Sequence, residues 1–283
     1  MERLIERANV VIEALPYIEK YSGKTFVIKY GGNAMIDESL KRKVIQDIVL
    51  LKYVGINAVV VHGGGPELTH WLKKINKETV FIEGLRVTDQ ETVELAEMVF
   101  VGKINKELVS LFHRYGGKAV GLSGRDGKLI MAEKKINDKN IDLGFVGDVT
   151  KINPEILTTL IQSGFTPIIS SIGEDENGQS YNINADTVAC AIASKLNASK
   201  LFLLTDVDGV MKDGKVLSKL TTEKAQDLID QNIITGGMIP KIKCAIASIN
   251  AGIEKIHIIN GQIPHSLLLE VFTDFGIGTM IKS

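Results

Sequence analysis

The sequence predicts an α/β protein: a three-layer α/β/α sandwich around an open, mainly parallel sheet, divided into two lobes. Three observations predict it. Short runs rich in Val, Ile and Phe recur along the 283 residues. Helical stretches separate most of them, and such alternation calls for a parallel sheet covered on both faces. Glycine is plentiful, with 27 residues against 6 prolines, which suits many tight strand-to-helix turns.

The elements follow in order. Leu4, Ile5, Ala8, Val11, Ile12 and Leu15 share one helical face, and Pro16 bends or ends that helix. This segment, 1–22, either packs on its own domain or docks on another subunit. Strands are expected at 26–30 (FVIKY), 58–62 (AVVVH), 119–123 (AVGLS), 167–171 (PIISS), 201–205 (LFLLT) and 255–260 (KIHIIN). Helices are expected at 38–54, 90–114, 186–197, 222–231, 240–251 and 264–274. Asn153-Pro154 reads as the N-cap and first residue of another at 154–163. KLIMAEK and GFVGDVTKI, within 125–152, suggest a hairpin excursion. The polar stretch EDENGQS (174–180) is the best lobe boundary, dividing 23–173 from 174–283.

Composition excludes several classes. The formal net charge is −1 with no basic stripe, so nucleic acid is not an expected partner. No apolar run reaches the roughly 20 residues of a membrane span. The N-terminus lacks a signal-peptide core, and Glu2, Glu6 and Glu13 argue against a transit peptide, so the cytoplasm is the expected location. Cys190 and Cys244, without metal or CxxC spacing, are expected as reduced thiols in the interior.

Glycine-ended strands carry the chemistry. In an open parallel sheet, ligands gather at the carboxyl ends of the strands, where glycines let backbone amides approach an anion. AVVVHGGGPE (58–67) fits that mechanism, or is simply a tight turn. It is not a dinucleotide fingerprint, which needs glycine where Leu68 stands. SGKTF (22–26) is not a P-loop, since the first glycine of that motif falls on Ile18. VIKYGG (27–32) places Lys29 in an apolar strand, where burial is costly without a partner, unless the side chain reaches a sheet edge. TGGMIPK (235–241) places Lys241 at a helix start, against the dipole. An anion held between the two lysines would resolve both conflicts. YNINAD (181–186) ends in Asp186, which opens an apolar helix and as a plain N-cap needs no function.

VIKYGG, VVVHGGGPE, GLRVTD (84–89), YNINAD, LTDVDGV (204–210) and TGGMIPK stand in the order and spacing of the amino acid kinase family, and the chain resembles its acetylglutamate kinases from about residue 9 onward. The resemblance implies phosphoryl transfer from ATP, with Mg2+, to the side-chain carboxylate of N-acetyl-L-glutamate in arginine biosynthesis. That carboxylate, with a pKa of about 4.3, is already ionised at neutral pH, so no general base is needed. Positioning and positive charge must carry the catalysis. By resemblance, Lys29 holds the transferring phosphoryl group, Lys241 neutralises charge towards the leaving phosphate, and Asp186 orients both. Gly32 and Gly65 supply amides to the phosphoryl oxygens. Arg86 clamps the acceptor's α-carboxylate, with Gly64, Gly65 and Asn182 also in contact, and Asn184 shapes the site nearby. Asp206, Asp208, Gly236, Gly237 and Met238 line the nucleotide site, although the two aspartates could instead cap their turn. By the same resemblance, Mg2+ would bridge the ATP phosphates with few protein ligands.

The resemblance extends to the arginine-inhibited hexameric members. Those carry an N-terminal helix that joins dimers into a ring, as segment 1–22 would here. Their effector, L-arginine, would be bound by Glu270, Gly276 and Gly278 in HSLLLEVFTDFGIGTMI (265–281).

Overall fold

The computed structural model describes residues 1–35, 37–136, 141–274 and 276–283. Two helices lead, α1 (Glu2–Glu13) and α2 (Leu15–Tyr21), with Pro16 in the first turn of the second. Then come β1 (Thr25–Tyr30), α3 (Glu38–Tyr53), β2 (Asn57–His62), α4 (Gly65–Lys74) and a short ribbon of β3 (Phe81–Ile82) and β4 (Leu85–Arg86). A long helical run follows as α5 (Gln90–Glu97), a π-helical stretch (Met98–Ile104) and α6 (Asn105–Arg114). Next are β5 (Ala119–Leu122), β6 (Ile130–Lys134), β7 (Val146–Ile152), α7 (Glu155–Gln162), β8 (Thr166–Ser170), β9 (Ile172–Glu174), β10 (Ser180–Ile183), α8 (Ala185–Lys195) and β11 (Lys200–Thr205). The chain closes with β12 (Met211–Lys212), β13 (Lys215–Val216), β14 (Lys219–Thr221), α9 (Thr222–Asp230), α10 (Met238–Asn250), β15 (Ile256–Asn260), α11 (Ser266–Val271) and β16 (Thr279–Lys282).

The main sheet has eight strands in the order β14-β16-β15-β11-β1-β2-β8-β5. Its neighbours run parallel except β15 and β16. Alternate strand residues feed two cores. Phe26, Ile28 and Val60 face α3, α4, α6 and α11, whereas Val27, Val59 and Val61 face α7, α8, α9 and α10. This is the three-layer sandwich that continuous apolar strands require. β6, β7, β9 and β10 close into a small separate barrel. The hairpin expected at 125–152 contributes β6 and β7, which pair antiparallel; its residues 137–140 lie outside the described residues. The 174–180 stretch is the turn between β9 and β10.

From β1 the chain runs outward to β2 on one side, and β11 flanks it on the other. β1 is therefore the place where the order reverses, the position at which open α/β sheets bind ligands. Lys29 and the Gly31-Gly32 pair sit at its end.

Several expectations change. The helix at 90–114 is not uniformly α; its middle widens to π. The helix at 264–274 shortens to six residues, because His265 takes a left-handed conformation (φ 59) and the chain leaves the helix at Phe272. Asn184, not Asp186, caps α8: its Oδ1 accepts the amides of Asp186 (2.8 Å) and Thr187 (3.3 Å). Pro154 stands in the N-cap position of α7, one residue later than the expected Asn153. Cys190 and Cys244 are not free thiols but a disulfide, with Cα atoms 6.5 Å apart. The cause is tertiary, since α8 and α10 pack together and bring the two residues face to face. Among the described residues no helix is long and apolar enough to cross a membrane.

Candidate active site

Three strand ends and two helix starts build the site. β1 delivers Lys29, only 9% exposed. Its ammonium has room because residue 31 is glycine; a Cβ there would lie 3.0 Å from Lys29 Nζ. α8 delivers Asp186 one residue into the helix, its own cap already supplied by Asn184, so the carboxylate is available for other work. α10 delivers Lys241 from its first turn. Lys29 Nζ lies 3.2 Å from Asp186 Oδ1, and Lys241 Nζ pairs with Asp186 Oδ2. Burial would lift the Asp186 carboxyl, but the two ammonium groups outweigh it and hold the group below the usual carboxylate range. The sequence-predicted triad is therefore assembled, with two cations on one anion, so that the triad by itself carries a net positive charge.

Beside the triad lies a cavity of about 190 Å3 lined by Gly63, Gly64, Gly65, Arg86, Asn182 and Asn184, among others. Arg86 stands over the Phe81 ring at 4.7 Å. Its Nη2 donates to the Gly65 carbonyl (3.0 Å) and to Thr69 Oγ1 (2.8 Å). Its Nη1 is buried with no hydrogen-bond partner among the described residues. A buried guanidinium nitrogen left open in this way is unfavourable unless a ligand completes it. Asn182 donates to Thr88 Oγ1 at 3.3 Å, and Thr88 in turn donates to the Arg86 carbonyl at 2.8 Å. Phe81, Thr69 and Thr88 support this pocket, and local sequence carries no signal for them.

A second cavity of about 890 Å3 is lined by Asn184, Asp186, Gly236, Gly237 and Lys241. Asn184 borders both cavities; Asp186 and Lys241 line the larger one and Ala185, next to Asp186, lines the smaller, so Asp186 stands where the two meet, with Lys29 paired to it from β1. Gly32 opens a short 3-10 turn at φ +73, and a Cβ on it would lie 2.7 Å from Asp206 Oδ1. Asp206 thus lies beside the end of β1, and it is exposed. Asp208 accepts from Asn260 Nδ2 at 2.7 Å, tying the turn after β11 to β15. Met238 packs on the hydrophobic core with its side chain. Among the described residues, no three His, Cys, Asp or Glu side chains converge as a metal cluster.

The three C-terminal residues singled out in the sequence gather elsewhere. Glu270 is 8% exposed; its Oε1 lies 2.6 Å from His257 Nδ1, and its Oε2 accepts the Ile277 amide at 2.7 Å. Gly276 (φ +53) passes so close that a Cβ would lie 3.0 Å from the carboxylate. Gly278 instead backs onto the Ile258 carbonyl of β15. Sequence reasoning missed Lys200, whose ammonium stands 4.6 Å over the Tyr21 ring of α2; burial pulls it down to about 8.

Comparison with known proteins now decides the family. The profile described as "Amino acid kinase family" matches residues 24–260. The chain belongs to that family, in its acetylglutamate kinase branch. Acetylglutamate kinase of Halothermothrix orenii is 54% identical over 286 residues, covering 99% of each chain. That of Desulforamulus reducens is 53% identical, covering 99% of this chain and 98% of its own. That of Methanocaldococcus jannaschii is 52% identical, covering 99% and 98%. The chain is thus a kinase. Among solved structures, N-acetylglutamate synthase of Neisseria gonorrhoeae complexed with coenzyme A and N-acetyl-glutamate aligns with TM-score 0.88 and 27% identity, over 98% of this chain and 63% of that longer one. Carbamate kinase of Giardia lamblia bound to AMP-PNP, at TM-score 0.66 and 18% identity, shares the fold.

Proposed function

We propose that this kinase transfers the γ-phosphoryl group of ATP to the side-chain carboxylate of N-acetyl-L-glutamate, as a step of arginine biosynthesis in the cytoplasm. The observation that carries this is the Lys29–Asp186–Lys241 cluster at the junction of an arginine-bearing pocket and a larger cleft. Residues 23–173 serve as the acceptor lobe and 174–283 as the ATP lobe.

The chemistry follows from charge. A carboxylate oxygen attacks phosphorus, a new O–P bond forms, and the bond to the β-phosphate oxygen breaks with its electron pair leaving on ADP. Nucleophile and phosphate are both anionic, so the barrier is largely electrostatic. Lys29 meets the phosphoryl oxygens from the acceptor side and Lys241 meets charge developing towards the leaving group. Asp186 fixes the spacing of the two ammonium groups before substrate arrives. Gly32 and Gly65 present amides to the same oxygens. Arg86 Nη1 takes the acceptor's α-carboxylate, completing its open valence, while Gly64 and Asn182 hold the rest. The ATP tail lies along Gly236 and Gly237, with Asp208 and Met238 shaping the wall behind. A divalent cation would be held chiefly by the ATP phosphates, with Asp206 beside the end of β1 as the carboxylate that would join it, and the ion would neutralise phosphate charge. An ADP-release assay with N-acetylglutamate, glutamate and carbamate tests the choice of acceptor. Turnover of N-acetylglutamate alone supports it, and preference for free glutamate or carbamate rejects it.

A regulatory reading has its own support. Leu4, Ile5, Val11, Ile12 and Leu15 are each at least half exposed along α1 and its junction with α2, an apolar face that a second copy of the chain would cover, as in a hexamer built from dimers. α2 meets the Glu270 region through Tyr17, which donates to Asp274 Oδ1 (2.6 Å), and through Tyr21 over Lys200. A synthase structure complexed with coenzyme A and L-arginine aligns at TM-score 0.83 and 25% identity. Arginine binding between Glu270, Gly276 and α2, transmitted through the helix, is the proposed inhibition, with Gly278 setting the course of the loop. Activity unchanged in millimolar arginine would reject it, and an assembly size unaltered by removing residues 1–22 would reject the role of the helix.

A further inference from the structure

The turn after β2 is held from behind by groups that the catalytic scheme leaves unused. His62 ends β2 and is fully buried. Its Nδ1 lies 2.8 Å from the Gly63 carbonyl oxygen, and its Nε2 lies 3.1 Å from Asn105 Nδ2. The orientation of Asn105 is fixed independently. The same Nδ2 lies 2.8 Å from the Ile168 carbonyl and 3.3 Å from that of Leu122, while Oδ1 receives Lys106 Nζ at 3.3 Å. That nitrogen can only donate and the Gly63 carbonyl can only accept. The ring is therefore neutral with its proton on Nδ1, and burial reinforces this by lowering the His62 pKa to about 4.

Asn105 opens α6 directly after the π-helical stretch 98–104. It has room because residue 121 is glycine; a Cβ there would lie 1.8 Å from Asn105 Oδ1. The same stretch presses on the next residue of the turn. A Cβ at Gly64 would lie 2.4 Å from Ile104 Cδ1 and 2.5 Å from Phe100 Cδ1. With i→i+5 winding, residues 100, 104 and 105 all face the glycine turn. π-helical insertions are uncommon and recur at functional sites.

We propose that Asn105 and the π-helical stretch are positioning elements for phosphoryl transfer. Asn105 sets the His62 tautomer, His62 pins the Gly63 carbonyl, and Phe100 with Ile104 wedges Gly64, so the Gly65 amide is aimed before substrate binds. Donors fixed in advance cost no reorganisation when charge develops. The proposal rests on the reading of this turn as a contact for the transferring phosphoryl group.

Two replacements separate the two links of His62. His62→Asn places an amide nitrogen where Nδ1 stands and keeps the bond to Gly63. His62→Gln places an amide oxygen where Nε2 stands and keeps only the bond to Asn105. His62→Gln is expected to lower kcat by about 100-fold with KM for ATP within about twofold, the scale of one lost oxyanion-type donor. His62→Asn is expected to restore at least about tenfold of that loss. Equal losses in the two variants, or a change confined to KM, overturn the proposal. Should either variant fail to fold, nitrogen NMR of wild-type His62 at neutral pH decides the tautomer: protonated Nδ1 and bare Nε2 support it, and the reverse overturns it. That spectrum does not depend on turnover. Wild-type protein inert towards N-acetylglutamate would reject the substrate reading and leave the tautomer to be judged on its own.

Discussion

Two glycine clusters line the two cavities of the proposed site, and they are glycine for different reasons. On the acceptor side, Gly64 has a φ of −179, which any residue can adopt, yet a Cβ there would strike Phe100 and Ile104. On the nucleotide side, nothing lies within 4 Å of a Cβ at Gly236 or Gly237, but Gly236 sits at φ +57. The first turn is dictated by neighbours packed behind it, the second by its own backbone. The lysines repeat the contrast. Lys29 is held in a strand cleared by Gly31, whereas Lys241 rides on the first turn of a helix beside the open cleft. The smaller cavity is a preformed mould and the larger a surface open around its glycines, which suits the compact acceptor and the long nucleotide proposed for them.

That contrast can be broken or sharpened experimentally. The largest effect should ignore it: Lys29→Ala and Lys241→Ala are each expected to lower kcat by about 1,000-fold, since in the proposed scheme both ammonium groups meet the same phosphoryl group. Steady-state kinetics with circular dichroism checks this; near-normal turnover in either variant removes that lysine from the scheme. Next comes acid stability. Native His62 stays neutral down to about pH 4, whereas the unfolded ring takes a proton below its usual pKa of about 6.5. The unfolded state therefore binds more protons between these values, and stability falls as pH drops through that window, by roughly 3 kcal/mol in full. Urea titrations at several pH values should show a flatter dependence in His62→Asn than in wild type. Gly64→Ala is expected to cost about 1–3 kcal/mol of stability by overpacking, with kcat falling alongside. Gly237→Ala should be nearly silent in stability, within about 0.5 kcal/mol, and confined to KM for ATP. Equal costs at 64 and 237 would erase the distinction between mould and open surface.

Much of the fold was legible, and the two lysines stood out because the sequence breaks local rules there. A lysine in an apolar strand and another at a helix start are each unfavourable alone; their link to Asp186 came only from the family resemblance, and the structure brings that carboxylate between them. The apolar runs gave the parallel strands for the same reason that they are buried on both faces. Other features left no local trace. The π-helical stretch buries Val99, Phe100 and Ile104 at a spacing that an α-helix would also bury, so its pattern passes for α. The barrel strands β9 and β10 are too short to stand out. Asn184 and Asp186 are equally good caps by type, and only the structure shows which one is freed for the lysines. Pairing of Cys190 with Cys244 depends on two helices meeting, 54 residues apart in sequence. Lys200 and Asn105 have meaning only through what lies across from them.

A structure with N-acetylglutamate and a non-hydrolysable ATP analogue tests the central claim most directly. Both ammonium groups, of Lys29 and Lys241, should stand within about 3 Å of oxygens on or bridging to the γ-phosphate, with Asp186 still between them. A γ-phosphate bound beyond the reach of either lysine, with the pair still closed on Asp186, would contradict it.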